Sequence, residues 1–265
     1  MILPFQISDI RINSMYTDTE GFIFRQTKTV NGRRMILLFS RKYGKISAGT
    51  GISEKGRSKS SLAMRPFTYG RYELYKSRSG YNINGAETIR SYYKIGEDVD
   101  KYMNASYVLE FTEKVLSENV PQPKQFDLLL DFFDVLESRK KKYGTLVLAY
   151  ELKTFDRMGY LPELSRCVEC GKEENLHFLD IEGGGALCRQ CGEKKIAADN
   201  DSLIYEAGLG IIKIMRYFLS NPLKRLENLA LEDDVLHRMR RMTGEFARYH
   251  LDIGQLNSQM FLSDN

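Results

Sequence analysis

All four cysteines of the 265-residue chain lie in two copies of the motif C-x-x-C-G. Cys167 and Cys170 form the first pair, Cys188 and Cys191 form the second, and 17 residues separate the pairs. Two thiolates separated by two residues can face one ion at about 2.3 Å from each sulfur, and two such turns complete a tetrahedron. The spacing therefore predicts a structural zinc ion (Zn²⁺), with no open position for water or substrate.

A glycine follows each pair, and both glycines have the same predicted role. Gly171 and Gly192 can adopt positive φ, which lets backbone N–H groups approach the sulfur atoms. Two disulfides or four buried thiols are the alternative interpretation. His177 lies between the pairs, and we expect it to be a loop or packing residue because four cysteines already complete the site.

The first ten residues, MILPFQISDI, lack the basic and apolar regions of a secretory leader. No uncharged apolar run approaches the ~18–20 residues needed to cross a bilayer. We therefore expect a cytoplasmic protein with no membrane contact, in a compartment where thiols stay reduced. This expectation favours zinc over disulfides.

The net charge of +4 is unevenly distributed along the chain. Residues 21–80 contain 14 Lys and Arg but only two acids, Glu54 and Glu73, whereas residues 84–137 contain 5 Lys and Arg and 11 acids. The change in composition predicts a domain boundary near residue 83, and hence domains at 1–83 and 84–265 with a zinc module at about 164–195. It also predicts that the first domain faces a polyanion.

Cations in the first domain are interleaved with Tyr, Phe, Gly and Ser, which suits nucleic acid, because cations neutralise phosphates and exposed aromatic rings stack on bases. A solvated surface is the alternative. The last helix carries a second, weaker basic group. The predicted nucleic-acid-binding residues are Arg33, Arg34, Arg41, Lys42, Lys45, Lys55, Arg57 and Lys59, with Arg238 and Arg241 as the second group.

The pattern of apolar residues changes along the chain in step with the charge. Up to about residue 83 the apolar runs are short and extended, as in residues 34–39, and four or five such strands predict a small barrel or sandwich. After residue 84 the spacing becomes helical. In one stripe Phe126, Leu129, Leu130 and Phe133 follow the i, i+3, i+4, i+7 pattern, and a longer one runs from Val235 through Met239, Met242 and Phe246 to Tyr249. The fold class predicted is α+β.

Signatures of catalysis are missing from the sequence. There are three histidines, no G-x-S-x-G motif and no H-E-x-x-H motif. Asp127, Asp131 and Asp134 share one helical face and could imitate a divalent-metal site, but a polar helix face is the favoured interpretation. We therefore predict that the protein is not an enzyme.

With these parts in this order, the chain resembles the RecO family of bacterial recombination and repair proteins over nearly its whole length. The motif MGYLPEL at 158–164, followed by the first cysteine pair, is the most specific element of the resemblance. GGALC at 184–188, GK at 44–45, GRSKS at 56–60 with Pro66, and RYHL at 248–251 support it.

The resemblance implies an N-terminal OB-fold β-barrel, a mainly α-helical domain and an embedded zinc module with four cysteine ligands. It implies a nucleoid-associated, non-enzymatic protein that binds single- and double-stranded DNA and anneals complementary strands. The implied partners are a RecR-like protein, single-stranded-DNA-binding protein and, indirectly, RecA. Two rival hypotheses are a zinc-ribbon transcription or RNA-binding factor, and a metal-dependent nuclease that uses the carboxylates.

Overall fold

The computed structural model describes residues 15–29, 34–53, 55–78, 80–199 and 201–261 of the chain. Two compact units divide between Ser91 and Tyr92, giving Met1–Ser91 and Tyr92–Asn265. The first unit is built mainly of strands and the second mainly of helices, so the predicted α+β class is confirmed. The change in composition near residue 83 lies inside the last strand of the first unit, which runs on to Ser91.

Five strands of the first unit form a closed barrel in the order β1-β2-β3-β5-β4, with β4 pairing back to β1. Every neighbouring pair is antiparallel except β3 and β5, which are parallel. A short helix, α1, lies between β3 and β4 in the chain. The elements are β1 Tyr16–Lys28, β2 Arg34–Ser40, β3 Gly44–Thr50, α1 Lys59–Ala63, β4 Thr68–Ser77 and β5 Gly80–Ser91.

The barrel core follows from the two-residue period of its strands, because alternate side chains point inward. Ile36 and Leu38 of β2 and Ile46 of β3 are almost completely buried in it. Tyr72 also lies in the core, and its hydroxyl donates a hydrogen bond of 2.9 Å to the carbonyl oxygen of Ala63. This contact satisfies a buried polar group and fixes the end of α1 to the barrel.

The second unit contains six α-helices and a small antiparallel sheet of strand order β7-β6-β8 among its described residues. The first three of these helices precede the first cysteine pair, and the sheet carries the cysteine region. The elements are α2 Val99–Val115, α3 Pro123–Ser138, α4 Tyr143–Met158, β6 Leu176–Asp180, β7 Gly185–Cys188, α5 Arg189–Ala198, β8 Ile204–Glu206, α6 Gly208–Ser220 and α7 Asp233–Leu251.

Helix α4 is the centre of this unit, since 12 of its 16 residues are buried. Its neighbour α3 buries the predicted stripe at Phe126, Leu129 and Phe133. Between the two helices the amide nitrogen of Gln125 donates hydrogen bonds of 2.9 Å to the hydroxyls of Tyr150 and Thr154. These bonds satisfy polar groups inside an apolar interface.

After α7 the chain runs back across α2. Glu110 of α2 accepts hydrogen bonds from the backbone N–H groups of Asn257 (3.0 Å) and Ser258 (2.8 Å). Ile253 and Leu256 are buried in the same segment. We call residues 253–259 the C-terminal segment.

Candidate metal centre and nucleic-acid interface

The four cysteines come together from two separate parts of the second unit. Cys167 and Cys170 lie in the loop between α4 and β6, Cys188 ends β7, and Cys191 lies in the first turn of α5. Their Sγ atoms all lie within 4.8 Å of one another. All four are free thiols, of which Cys167 and Cys188 are buried and Cys170 is exposed.

This arrangement fits a tetrahedral zinc ion. With Zn–S bonds of about 2.3 Å, neighbouring sulfurs of a tetrahedron lie about 3.8 Å apart. The Sγ atoms of Cys170 and Cys188, which come from different pairs, are 3.8 Å apart. Within the described part of the chain, the quartet is the only group of three or more potential metal ligands gathered in this way.

Backbone geometry around Cys167 favours the thiolate form that binds metal. Burial by itself raises the pKa of this thiol, but backbone hydrogen bonds from Cys188, Cys170 and Glu169 lower it to about 6. Gly171 has a φ of 75° and donates its N–H to the Cys167 carbonyl oxygen at 2.9 Å. Its predicted positive φ is therefore confirmed.

The same prediction for Gly192 is wrong, for a clear physical reason. Gly192 lies inside α5 with helical backbone, so it does not shape a left-handed turn. A β-carbon at this position would instead collide with the ring of Phe178 on β6. Gly192 is needed because α5 packs closely on the sheet that carries the cysteines.

Three of the predicted cations surround the start of α1. Lys55, Arg57 and Lys59 are all exposed, and no ion pair ties any of them to an acidic residue that the structure describes. The hydroxyl of Ser58 caps α1 by accepting a hydrogen bond of 3.1 Å from the N–H of Ser61. The cap fixes the turn from which these cations project.

Three further cations lie at the same end of the barrel, and sequence reasoning did not single them out. Arg25, Lys28 and Arg65 are exposed. Gln26 donates a hydrogen bond of 2.6 Å to the carbonyl oxygen of Met64, which brings the end of β1 beside the end of α1. The six residues Lys55, Arg57, Lys59, Arg25, Lys28 and Arg65 form what we call the α1-end cluster.

The cations at the other end of β2 are partly neutralised by acids on β1. Nε of Arg41 lies 2.8 Å from Oε2 of Glu20, and Nζ of Lys42 lies 3.6 Å from Oδ1 of Asp18. A cation already paired with a carboxylate gains less from a phosphate. Lys55, Arg57 and Lys59 at the α1 end are therefore more available to phosphate than Arg41 and Lys42.

The remaining predicted residues of the first unit have different surroundings. Arg34 donates hydrogen bonds to the Ile52 carbonyl oxygen, at 3.0 Å, and to the side chain of Gln26. Lys45 is half-buried on β3. Arg33 lies outside the described residues.

Arg238 and Arg241, the second predicted group, contact the small sheet. Arg238 donates a hydrogen bond of 2.8 Å to the carbonyl oxygen of Glu206, and the guanidinium of Arg241 lies 4.9 Å from the ring centre of Tyr205. Both side chains connect α7 to β8. They remain exposed, and a DNA contact by either stays a prediction.

The carboxylates of α3 take part in local contacts. Oδ1 of Asp131 lies 3.5 Å from Nζ of Lys224, and Oδ1 of Asp134 accepts a hydrogen bond of 2.7 Å from the hydroxyl of Tyr92. These contacts agree with a polar helix face.

Among the helices that the structure describes, none has the length and hydropathy of a membrane span.

Comparison with known families identifies the family of the chain. The family model described as "Recombination protein O N terminal" matches residues 15–92, and the one described as "Recombination protein O C terminal" matches residues 96–260. The chain belongs to the RecO family. Together the two RecO models span both compact units and meet beside their division at Ser91.

Curated RecO relatives resemble the chain over most of its length. The "DNA repair protein RecO" of Alkaliphilus metalliredigens is 28% identical over 245 residues, covering 92% of this chain and 97% of the relative. The protein of the same name from Exiguobacterium sibiricum is 32% identical over 178 residues, covering 66% and 70% respectively. The Caldanaerobacter subterraneus protein is 26% identical over 90% of this chain.

Proposed function

We propose that the chain is a DNA-binding protein of recombinational repair that anneals complementary strands without catalysing a chemical reaction. In this proposal it also helps to load a recombinase of the RecA type on single strands coated by single-stranded-DNA-binding protein, together with a RecR-like protein. Membership of the RecO family supports the repair role. The observation that carries the DNA-binding part is the exposed α1-end cluster on a closed five-stranded barrel.

The cluster explains how strands can be held together. Annealing is opposed by repulsion between two polyanions, and cations that neutralise phosphates on both strands remove that repulsion. If all six cations of the α1-end cluster contact single-stranded DNA, log affinity falls with log salt at a slope of about −4. Neither this step nor the approach of the strands needs nucleotide hydrolysis.

The zinc ion has a structural role in this proposal. Cys167, Cys170, Cys188 and Cys191 would hold it, and it would join the loop after α4 to the β7–α5 junction. Four thiolate ligands leave no open coordination position, so the ion would stabilise the fold and take no part in a reaction.

The decisive test is annealing of labelled complementary oligonucleotides without ATP, with and without a coat of single-stranded-DNA-binding protein. We expect annealing by the wild-type chain on both substrates. The triple variant Lys55→Glu, Arg57→Glu and Lys59→Glu should bind single-stranded DNA at least tenfold more weakly at moderate salt and lose annealing. A matched control, with Lys94, Lys141 and Lys194 each changed to Glu, makes the same change in net charge at exposed positions of the second unit.

Equal loss of affinity in both triple variants would contradict the assignment to the α1-end cluster. Strong preference for one oligonucleotide sequence over its shuffled version would favour a transcription or RNA-binding factor. Mg²⁺-dependent cleavage of the strands, abolished by Asp131→Ala, would favour a nuclease.

A further inference from the structure

A polar cavity lies in the second unit, among α2, α4, α7 and the C-terminal segment. It has two adjoining parts of about 370 Å³ and 250 Å³, which share Tyr107, Glu151, Gly244 and Gln259 as lining residues. Small-molecule sites usually have volumes of about 300–1,000 Å³ and combine apolar walls with a few placed polar groups. The cavity has the size and the mixed lining of such a site.

Gly244 keeps this cavity open. It lies inside α7, and a β-carbon built on it meets no atom within 4 Å. Glycine in a helix interior is less favourable than alanine by about 1 kcal/mol. Neither a left-handed turn nor a close neighbour requires a glycine at this position. The glycine therefore makes α7 less stable than alanine would, and it leaves the space beside the helix empty.

The buried carboxylate of Glu151 forms the floor of both parts, and it is only 6% exposed. Oε1 accepts a hydrogen bond from the hydroxyl of Tyr107, and Oε2 accepts one from the hydroxyl of Thr243 at 3.4 Å. Burial raises the pKa of Glu151, and the hydrogen bond from Tyr107 and the positive charge of Arg240 oppose this rise. Since each carboxylate oxygen has two lone pairs, each can accept a further hydrogen bond.

The rest of the lining gives the cavity the opposite charge. Arg240 and Arg241 line the smaller part together with His237, and Arg248, which is paired with Glu245 at 2.8 Å, lines the larger part. A wholly cationic ligand would be repelled by Arg240 and Arg241, and a simple anion would be repelled by Glu151. The lining therefore suits a ligand with hydrogen-bond donors at one end and a negative charge at the other.

We propose that this cavity binds a single guanine nucleotide unit, with the base at Glu151 and the phosphate beside the basic residues of α7. Guanine fits because the Watson–Crick edge of this base carries two adjacent donors, the ring N–H and the amino group, which match the two free acceptor positions of the carboxylate. Tyr107 and Phe111, whose rings are parallel within 11°, supply aromatic wall to the larger part of the cavity. The unit is either a free nucleotide or an unstacked nucleotide within a single strand.

The test is isothermal titration of the 265-residue chain with dGMP, dAMP, dCMP, dTMP and inorganic phosphate. We expect dGMP to bind at least tenfold more tightly than the other four. Gly244→Leu should reduce dGMP binding at least tenfold without lowering the melting temperature, because the new side chain fills the space. Gly210→Leu is the matched control, since a β-carbon on that glycine of α6 also meets no atom.

Glu151→Gln should weaken dGMP binding at least tenfold if its melting temperature stays close to that of the wild type. Absence of dGMP binding at millimolar concentration, equal binding of all four nucleotides, or unchanged binding by the folded Gly244→Leu variant would overturn the proposal. Competition with dGMP distinguishes a free nucleotide from a nucleotide within a strand. The competitors are a DNA decamer that contains one guanine and the same decamer with an abasic site at that position. Competition by the guanine decamer alone assigns the site to a DNA strand, and competition by neither assigns it to free nucleotide.

The proposed site uses none of the cations of the α1-end cluster. The Lys55, Arg57 and Lys59 triple variant should therefore bind dGMP as the wild type does. In the wild type, annealing without dGMP binding would contradict only the nucleotide site, and dGMP binding without annealing would contradict only the proposed function.

Discussion

Nζ of Lys195 lies 2.9 Å from Oδ2 of the buried Asp180. The same ammonium lies 2.6 Å from Oε1 of Glu169, which stands between the first two cysteines. Hydrogen bonds to Glu169 and Asp180 raise the pKa of Lys195 above its ordinary value. One side chain of α5 therefore joins the loop of the first cysteine pair to strand β6.

Replacing Lys195 with Met should weaken the fold around the cysteines. Asp180 would be left as a buried carboxylate without its cation, which destabilises the fold. The side chain of Lys195 is 39% exposed, so solvent screening limits the expected loss to about 1–3 kcal/mol in the free energy of unfolding. Urea denaturation measures this loss, and a chromophoric chelator should extract the proposed zinc ion faster from the variant. Lys194→Met, at an exposed neighbouring position, is the control, and equal behaviour of the two variants would refute the role assigned to Lys195.

Docking of the C-terminal segment should depend on pH through Glu110. Partial burial raises the pKa of this carboxyl, but hydrogen bonds from Ser258 and Asn257 outweigh burial and hold the pKa below its ordinary value of 4.5. A lowered pKa in the folded state means that the stabilisation is complete above pH 4.5 and is lost as the pH falls through the lower folded value. The protection factors of residues 253–259, in which the slowing of intrinsic amide exchange by acid is divided out, should therefore fall on acidification below that pH.

The variant Glu110→Gln identifies the carboxyl responsible. Its C-terminal segment should exchange faster than that of the wild type at neutral pH and should lose most of the acid dependence. Glu118→Gln changes an exposed carboxyl outside these contacts and should behave as the wild type does. Acid dependence that persists in the Glu110 variant would assign the effect to other groups.

The features predicted correctly from sequence are those specified by short-range spacing. The closeness of the four cysteines, whose Sγ atoms lie within 4.8 Å of one another, follows from two C-x-x-C turns and the 17 residues between them, and their binding of a metal stays a prediction. The buried stripe of α3 at Phe126, Leu129 and Phe133 depends on the helical period alone. In α7, by contrast, Tyr249 was predicted to continue the stripe but is 49% exposed, because an apolar period does not show where a neighbouring element stops covering a helix.

Features that depend on pairing between distant segments could not be predicted. Arg41 and Glu20 meet because β1 pairs with β2 in a register that places Gly21 opposite Ser40, and composition does not specify that register. Arg65 comes near the end of β1 only because Met64, the residue after α1, accepts a hydrogen bond from Gln26. The space beside Gly244 is formed by three helices and the C-terminal segment together. The sequence alone does not distinguish Gly244 from the other glycines, of which the chain has 21 in all.

The different surroundings of Arg57 and Arg41 predict different effects on DNA affinity. Arg57 is exposed, so Arg57→Gln should remove a phosphate contact and reduce the salt-dependence slope for single strands by about 0.7. Arg41 is already paired with Glu20, so Arg41→Gln should change the slope by much less. Fluorescence anisotropy with a labelled oligonucleotide at several salt concentrations measures both slopes, and a larger effect of Arg41→Gln would reverse this assignment.

Arg139 should contribute strongly to the stability of the second unit. It is only 4% exposed, and its guanidinium donates hydrogen bonds to five backbone carbonyl oxygens, those of Lys141, Lys142, Leu226, Glu227 and Leu229. Arg139→Met would leave buried acceptors without donors and should lower the free energy of unfolding by about 3 kcal/mol. Urea denaturation checks this value against the control Lys140→Met, an exposed neighbour for which we expect a change below about 0.5 kcal/mol.

Removal of the proposed zinc ion should destabilise the second unit while leaving the barrel folded. The ion would hold two loops whose sulfurs otherwise lie within 4.8 Å of one another with no covalent link. Metal binding of this kind contributes directly to folding, since the unfolded chain has no preformed site. Elemental analysis should find one zinc per wild-type chain and much less in Cys170→Ser.

Hydrogen exchange after chelation should become faster in β6, β7 and α5, while protection in β2 and β3 stays unchanged. Full protection of β6 and α5 in zinc-free protein would show that packing alone, through contacts such as Lys195 with Asp180 and Gly192 against Phe178, is enough to hold the cysteine region together.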